Sequence, residues 1–284
     1  MGTTLEITYV ASCSLIESET LLIKSKEILD RHEAAASLYQ PQSELRRLNR
    51  DGILKNPSTE LLGALELAIE FARRTEGAFD PTVLPVLNGI REKIEKTGRP
   101  PTPSQIARWR SKVDYRAIQI QRSPEVWVRI PRGVEITLDG IMKGYAVDRV
   151  AEFLLEQGVS NFVVNFSGNM RLEGGPLGGG RWRIEVDDPA GLETQSLPEG
   201  VRAVASSSPQ FQKFTNDSRW HHLIDPKTLK PANRWRSVTV YGTSAGVCDA
   251  LSTAAFVGAR QGNQDLKRWA GPEYEGVFLP SQLP

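Results

Sequence analysis

Apolar and polar positions alternate along residues 4–11 (TLEITYVA), a period of two that predicts a strand. From 16 to 36 the spacing becomes helical, with Leu21, Leu22, Ile28 and Leu29 on one side. The clearest helix is 59–76. Leu61, Leu62, Leu65, Ala68, Ile69 and Ala72 recur at helical spacing, Ser58 or Thr59 suits the N-cap, and Gly77 ends the run. A helix is expected to continue over 82–96, and the Pro-rich stretch 97–105 (TGRPPTPSQ) reads as a loop leading into a short helix. AIQIQ (118–122) and VWVRI (126–130) read as a hairpin, and 143–158 as a helix with Tyr145, Val147, Val150, Phe153 and Leu154 in its apolar stripe. Strands are expected at 159–166, 182–186, 201–206 and 237–242, helices at 249–259 and 264–270, and a last strand at 276–279. The mixture lacks a βαβ rhythm, which predicts an α+β fold of mostly antiparallel sheets with flanking helices.

Composition narrows the function classes. The chain has 284 residues, of which 39% are apolar and 24% charged, enough to bury a full core. Lys and Arg number 35 against 34 Asp and Glu, so the basic excess of a nucleic-acid-binding surface is missing. Two cysteines, Cys13 and Cys248, exclude a disulfide framework and a Cys-built zinc site. With no apolar run of about 20 residues, no transmembrane segment is expected. The start, MGTTLEITYVASC, has neither the basic segment nor the apolar run of a signal peptide, and Glu6 makes VASC a poor lipoprotein cleavage site. As it stands the chain reads as cytoplasmic. A chain whose export signal had been removed would read the same and would be periplasmic or membrane-anchored.

Three segments carry residues that packing explains poorly. In TLDGIMKGYAVD (137–148) a strand is expected to end near Thr137 and a helix to begin near Gly144. Gly140 and Gly144 bracket that turn around Lys143. Amides at a helix start beside a lysine suit an anion, although a Gly-rich turn with a surface lysine reads the same, and the GxxxxGK[ST] pattern is absent. In WHHLIDPKT (220–228), His221 and His222 would point to opposite faces of a strand, leaving one to act as a general base. A plain strand-to-turn junction at Asp225-Pro226 is the alternative. In CDALSTAAF (248–256), Asp249, Ser252 and Thr253 share one helix side and form an oxygen set suited to Mg²⁺; alternatively Asp249 caps the helix. Cys248 and His32 read as structural. EGAFDPTV (76–83) turns at Gly77 and Pro81. In SLYQPQSELRRLN (37–49), Tyr39 is placed to stack on a flat ring or to pack, and Ser43 suits the cap of a short helix.

Taken in order, MGTT (1–4), SLYQPQSELRRLN, GAFDPTV, GIMKGYAVD, WRIEVDDP (182–189), HHLIDPKT and CDALSTA resemble the FAD:protein FMN transferases, the ApbE-type proteins. The resemblance covers nearly the whole chain and implies a single, T-fold-like α+β domain over 1–284. It implies a Mg²⁺-dependent enzyme that cleaves the FAD pyrophosphate, transfers FMN to a threonine hydroxyl of an acceptor flavoprotein and releases AMP. By the same resemblance Met1, Tyr39, Ala78, Phe79 and Asp80 match positions that hold the flavin nucleotide. Lys143 matches a nucleotide contact, and Thr137 stands where the family has an aspartate. The Gly140 carbonyl, Asp249 and Thr253 match the metal's ligands, with Ser252 beside them. His222 matches the His before the I/L-I-D-P run and is the candidate base for the acceptor hydroxyl, with Asp225 placed to orient the loop or the imidazole.

The departures from the family pattern are specific. Thr137 replaces an Asp, and Asp139 appears two places later. Ser206-Ser207-Ser208 stands for T-S-G. Ser167, Gly168 and Asn169 replace the G-G-D turn, and Leu229 a glycine. Thr137, Ser208 and Leu229 keep open a flavin-binding protein without catalysis, and, since some members of the family hydrolyse FAD, an FAD pyrophosphatase giving FMN and AMP is the other reading.

Overall fold

The structure, a computed structural model, describes residues 5–10, 15–188, 191–271 and 276–278. In chain order the helices are α1 (Leu15–Ala36), α2 (Glu44–Asp51), α3 (Thr59–Arg74), α4 (Leu84–Thr97), α5 (Pro103–Ala107), α6 (Met142–Glu156), α7 (Ala245–Gly258) and α8 (Asn263–Ala270). The strands are β1 (Leu5–Tyr9), β2 (Ile53–Lys55), β3 (Gln119–Gln121), β4 (Trp127–Arg129), β5 (Phe162–Phe166), β6 (Asn169–Glu173), β7 (Arg183–Asp188), β8 (Gly191–Ser196), β9 (Ala203–Ser207), β10 (Ile224–Asp225), β11 (Lys230–Pro231), β12 (Val238–Gly242) and β13 (Gly276–Phe278).

An open six-stranded sheet runs β1-β5-β6-β9-β12-β13, antiparallel at every pairing. Strand alternation divides its two faces. Val164, Ala203 and Ala205 join the main core, where α6 and α7 pack on the sheet and α1 packs on α6. The small side chains of Ala203 and Ala205 let a helix lie close. Val163 and Val204 point the other way, into a second cluster with Ile184, Val186 and Leu197, so the β7–β8 hairpin covers that face. A third cluster joins α4 and α5 (Leu84, Leu87, Ile90, Ile106) to the segment carrying Ile224 and Leu229, with Phe214 and Trp220 against it. That packing fixes the histidine-bearing loop.

The caps follow local chemistry. Ser58 caps α3, accepting from the Leu61 N–H at 3.2 Å, and Ser43 caps α2, accepting from Arg46 at 3.1 Å. Thr102 and Gln105 form a reciprocal capping box on α5. Elsewhere the structure corrects the sequence reading. Helix α7 begins at Ala245 under a Ser244 cap, so Asp249 lies inside the helix and does not cap it. Residues 134–137 form no strand; the Asn49 side-chain amide takes a strand's place, bonding both Ile136 N–H (2.7 Å) and Ile136 C=O (2.8 Å). Strands β2, β6, β8 and β11 have no counterpart in the sequence reading. In β6 the inward polar residues Arg171 and Glu173 interrupt the apolar alternation, because they pair with each other at 2.6 Å.

Two departures from the family pattern fall on left-handed backbone. Ser167 has φ +52° and Leu229 φ +57°, a region where glycine carries no Cβ penalty. Leu229 is wholly buried in the third cluster, which offsets its strain with packing.

Candidate active site

Two helix N-termini meet at the site. Gly144, in the first turn of α6, touches the start of α7; a Cβ there would lie 2.2 Å from the Ala245 carbonyl oxygen and 2.8 Å from the Gly246 nitrogen. Four residues further along α6, buried Asp148 holds the contact. Its carboxylate accepts from Ala245 N–H (2.9 Å), Gly246 N–H (2.9 Å) and Ser244 Oγ (2.7 Å), and pairs with Arg171 at 3.1 Å. A carboxylate on free helix amides satisfies orphan donors and meets the positive end of the helix dipole. Arg171 in turn pairs with Glu173, so no buried charge in this group is left alone.

That contact sets Asp249. Its side chain is 3% exposed, and Oδ2 accepts the Gly144 N–H at 3.2 Å. Burial pushes its carboxyl above the usual carboxylate range, opposed by the charge of Lys143 and by the Gly144 bond, and reinforced by Asp139. Along the same helix, Ser252 Oγ bonds the Asp249 carbonyl at 2.9 Å and Ser207 Oγ of β9 at 2.8 Å, and Ser207 Oγ lies 3.3 Å from Thr253 Oγ1. Gly140 sits against this group: a Cβ there would be 3.0 Å from Thr253 Oγ1 and 3.2 Å from the Phe79 ring. Lys143 folds back at the rim, Nζ donating to the Asp139 carbonyl at 3.1 Å.

His221 and His222 lie in a bridge and a bend, not in a strand, and their rings meet edge-on at 6.4 Å between centroids. His221 is fully buried, edge-on to Phe256 of α7 at 5.9 Å between ring centroids. His222 is half-buried, and its Nδ1 lies 3.1 Å from the Gln212 carbonyl. A carbonyl only accepts, so Nδ1 carries the proton and Nε2 keeps its lone pair. Burial first, then the Gln212 bond acting against it, then the charges of His221, Lys143 and Arg91 bring His222 down to about 4. Asp225 is turned into its own loop, accepting from Lys227 N–H (2.8 Å) and Thr228 Oγ1 (3.1 Å). It shapes the turn, and the Gln212 carbonyl is what the imidazole rests on.

A cavity of about 580 Å³ is lined by Tyr39, Arg46, Asn49, Asn88, Arg91 and Asp139 among others, and Asp139, whose carbonyl holds Lys143, joins it to this group. Tyr39 is 71% exposed at its wall. The remaining sequence candidates hold their own turns or reach the group from outside the cavity lining. Asp80 spends its carboxylate on Thr82 N–H (2.8 Å), Thr82 Oγ1 (2.6 Å) and Tyr115 N–H (3.2 Å), bracing the 78–83 turn, and burial raises its pKa. Phe79 reaches Gly140, whereas Ala78 lies against Gly258 at the far end of α7. Thr137 donates its N–H to the Pro81 carbonyl (2.8 Å) and accepts from Asp139 N–H (3.2 Å), tying the two turns together. Met1 lies outside the described residues. The structure therefore gathers Phe79, Gly140, Lys143, Asp249, Ser252 and Thr253. It sets His222 within electrostatic reach of Lys143 and keeps Ala78 and Asp225 apart from the group.

Asp148 and Arg91 are not singled out by the sequence, and Ser207 stands out there only as a departure from the family's T-S-G. Asp148 closes the GIMKGYAVD segment and stands one residue from Val147 in the apolar stripe of α6, a carboxylate at the margin of a buried face. Among the described residues, no three His, Cys, Asp or Glu side chains gather as a metal site. The oxygens of Asp249, Thr253, Ser252 and the Gly140 carbonyl nevertheless fit Mg²⁺, which takes one or two carboxylates and completes its shell with water and substrate phosphate.

Known proteins place this architecture in a class. The model of the ApbE family matches residues 1–277. A protein of Vibrio cholerae named FAD:protein FMN transferase is 32% identical over 276 residues, covering 90% of this chain and 79% of that one. One of the same name from Haemophilus influenzae is 32% identical over 274 residues, covering 90% and 78%. Among solved structures, the apo flavinyl transferase ApbE of Pseudomonas stutzeri superposes with a TM-score of 0.83 at 25% identity, over 99% of this chain and 92% of that one. The flavin transferase ApbE of Vibrio cholerae gives 0.79 at 27% identity, over 99% and 94%. The class is thus a transferase built on a mixed antiparallel α+β fold. The chain belongs to the ApbE family.

Proposed function

We propose that this chain transfers FMN from FAD to a threonine hydroxyl of an acceptor flavoprotein and releases AMP. The observation that supports it most is the junction of α6 and α7. A buried carboxylate, Asp249, lies there among hydroxyls, with Lys143 at the rim and a cavity alongside. Mg²⁺ held by Asp249, Thr253 and the Gly140 carbonyl, with Ser252 bracing them, would neutralise charge on the pyrophosphate.

The chain's own groups supply the rest. Lys143 meets the phosphate as a fixed cation. Tyr39, at the cavity wall, stacks on the flat flavin ring. His222 stays neutral at pH 7, and its Nε2 takes the proton as the acceptor hydroxyl attacks the FMN phosphorus. The bond to the bridging oxygen breaks and AMP leaves.

Asp249→Asn tests the assignment. An amide oxygen can still accept from Gly144 N–H, so the fold is kept while the charge goes. Mg²⁺-dependent AMP release should fall by at least about a hundredfold. Wild-type turnover in this variant would remove Asp249 from the site.

A further inference from the structure

We propose that Arg91, at the wall of the cavity, grips a phosphate of the dinucleotide substrate; this rests on reading the site as an FAD-cleaving centre. Arg91 projects from α4 and lines the cavity shared with Tyr39 and Asp139. Its guanidinium lies over the Phe214 ring, 5.5 Å from the centroid, so one face is fixed by an aromatic plane. Among the described residues it forms no hydrogen bond or ion pair, and its Nε is buried without a partner. The other cavity arginines are engaged: Arg46 donates to the Leu38 carbonyl at 3.1 Å, and Arg50 forks onto Asp51 at 2.7 and 2.8 Å.

A half-buried guanidinium held flat and left without an acceptor matches a planar fork waiting for a phosphate or carboxylate. Neither carboxylate at the wall, Glu135 or Asp139, pairs with it. The anion that enters with the substrate is the pyrophosphate. Arg91 also lies close enough for its charge to act on the His222 imidazole, as Lys143 does, so both cations stand near the proposed base. The guanidinium is thus a second phosphate contact, delivered by the same α4 packing that fixes the histidine loop.

The test is equilibrium binding without acceptor, read by flavin fluorescence for FAD and riboflavin and by competition for ADP. Riboflavin carries the ring and no phosphate; ADP carries the pyrophosphate and no flavin. Arg91→Met should weaken FAD and ADP about ten- to a hundredfold and leave riboflavin unchanged. Arg91→Lys, which keeps the charge and loses the fork, should fall between, and it guards against a folding defect in the methionine variant. FAD and ADP affinities equal to wild type, or equal losses for riboflavin and FAD, would overturn the inference. Wild-type AMP release is measured in parallel. If the wild type cleaves FAD while R91M binds all three ligands normally, the inference alone fails. A wild type that neither binds nor cleaves FAD overturns the reading of the site and the inference with it.

Discussion

His222, the base proposed here, shows how placement would direct an ordinary side chain. The Gln212 carbonyl selects the tautomer, and burial keeps the ring neutral. A histidine brought down to about 4 is deprotonated over the whole physiological range, and its base form is lost only as pH falls through that value. The acid limb of the kcat/KM profile should therefore lie near pH 4, well below the usual histidine value, and the limb should vanish in His222→Asn. A wild-type limb at the unperturbed value would show that the imidazole is solvated when it reacts. At Ser167 the backbone itself is the issue. Its φ of +52° sits in an exposed turn, so Ser167→Gly should stabilise the fold by about 1 kcal/mol, read by denaturant titration. No gain would mean that the serine turn is unstrained.

At the scale of elements, the α6–α7 contact is what aligns Asp249 with Gly140 and Thr253. Gly144 admits it because a side chain there would strike backbone atoms of Ala245 and Gly246, which cannot swing aside. Gly144→Ala should cost about 1–3 kcal/mol of stability by chemical unfolding and lower kcat by more than the stability loss explains, since Asp249 shifts with the helix. An alanine variant with wild-type kcat would show that the contact is not needed for alignment. Much at this scale was legible. Periodicity located the helices that became α1, α3, α6 and α8 and most strands of the main sheet, because each buries one regular face. It placed α7 four residues late, since Ala245 and Gly246 give no periodic signal and the stabilising carboxylate, Asp148, lies far away in sequence. It missed β6 because buried ion pairs replace apolar residues there.

At the scale of the molecule, two of the three packing clusters carry the candidate residues. The sheet and its helices bring Asp249, Ser252, Thr253 and Ser207 together, and the α4 cluster carries Arg91 and the His222 loop to the same place. The candidate site was only partly legible for that reason. Motif order pointed to Lys143, His222, Asp249 and Thr253, but Arg91 has no motif and acquires its place through Phe214, more than a hundred residues along the chain. Asp225 stood out by its neighbours in sequence, yet its carboxylate closes its own turn.

The most direct test mixes the protein with FAD and a small flavoprotein domain carrying an acceptor threonine, with and without Mg²⁺. Flavin fluorescence is read on the denatured acceptor band, and AMP by chromatography. The account predicts fluorescence that survives denaturation, appears only with Mg²⁺, and is matched mole for mole by AMP. AMP without a labelled band on any acceptor tried, or FAD left intact with Mg²⁺ present, would contradict it.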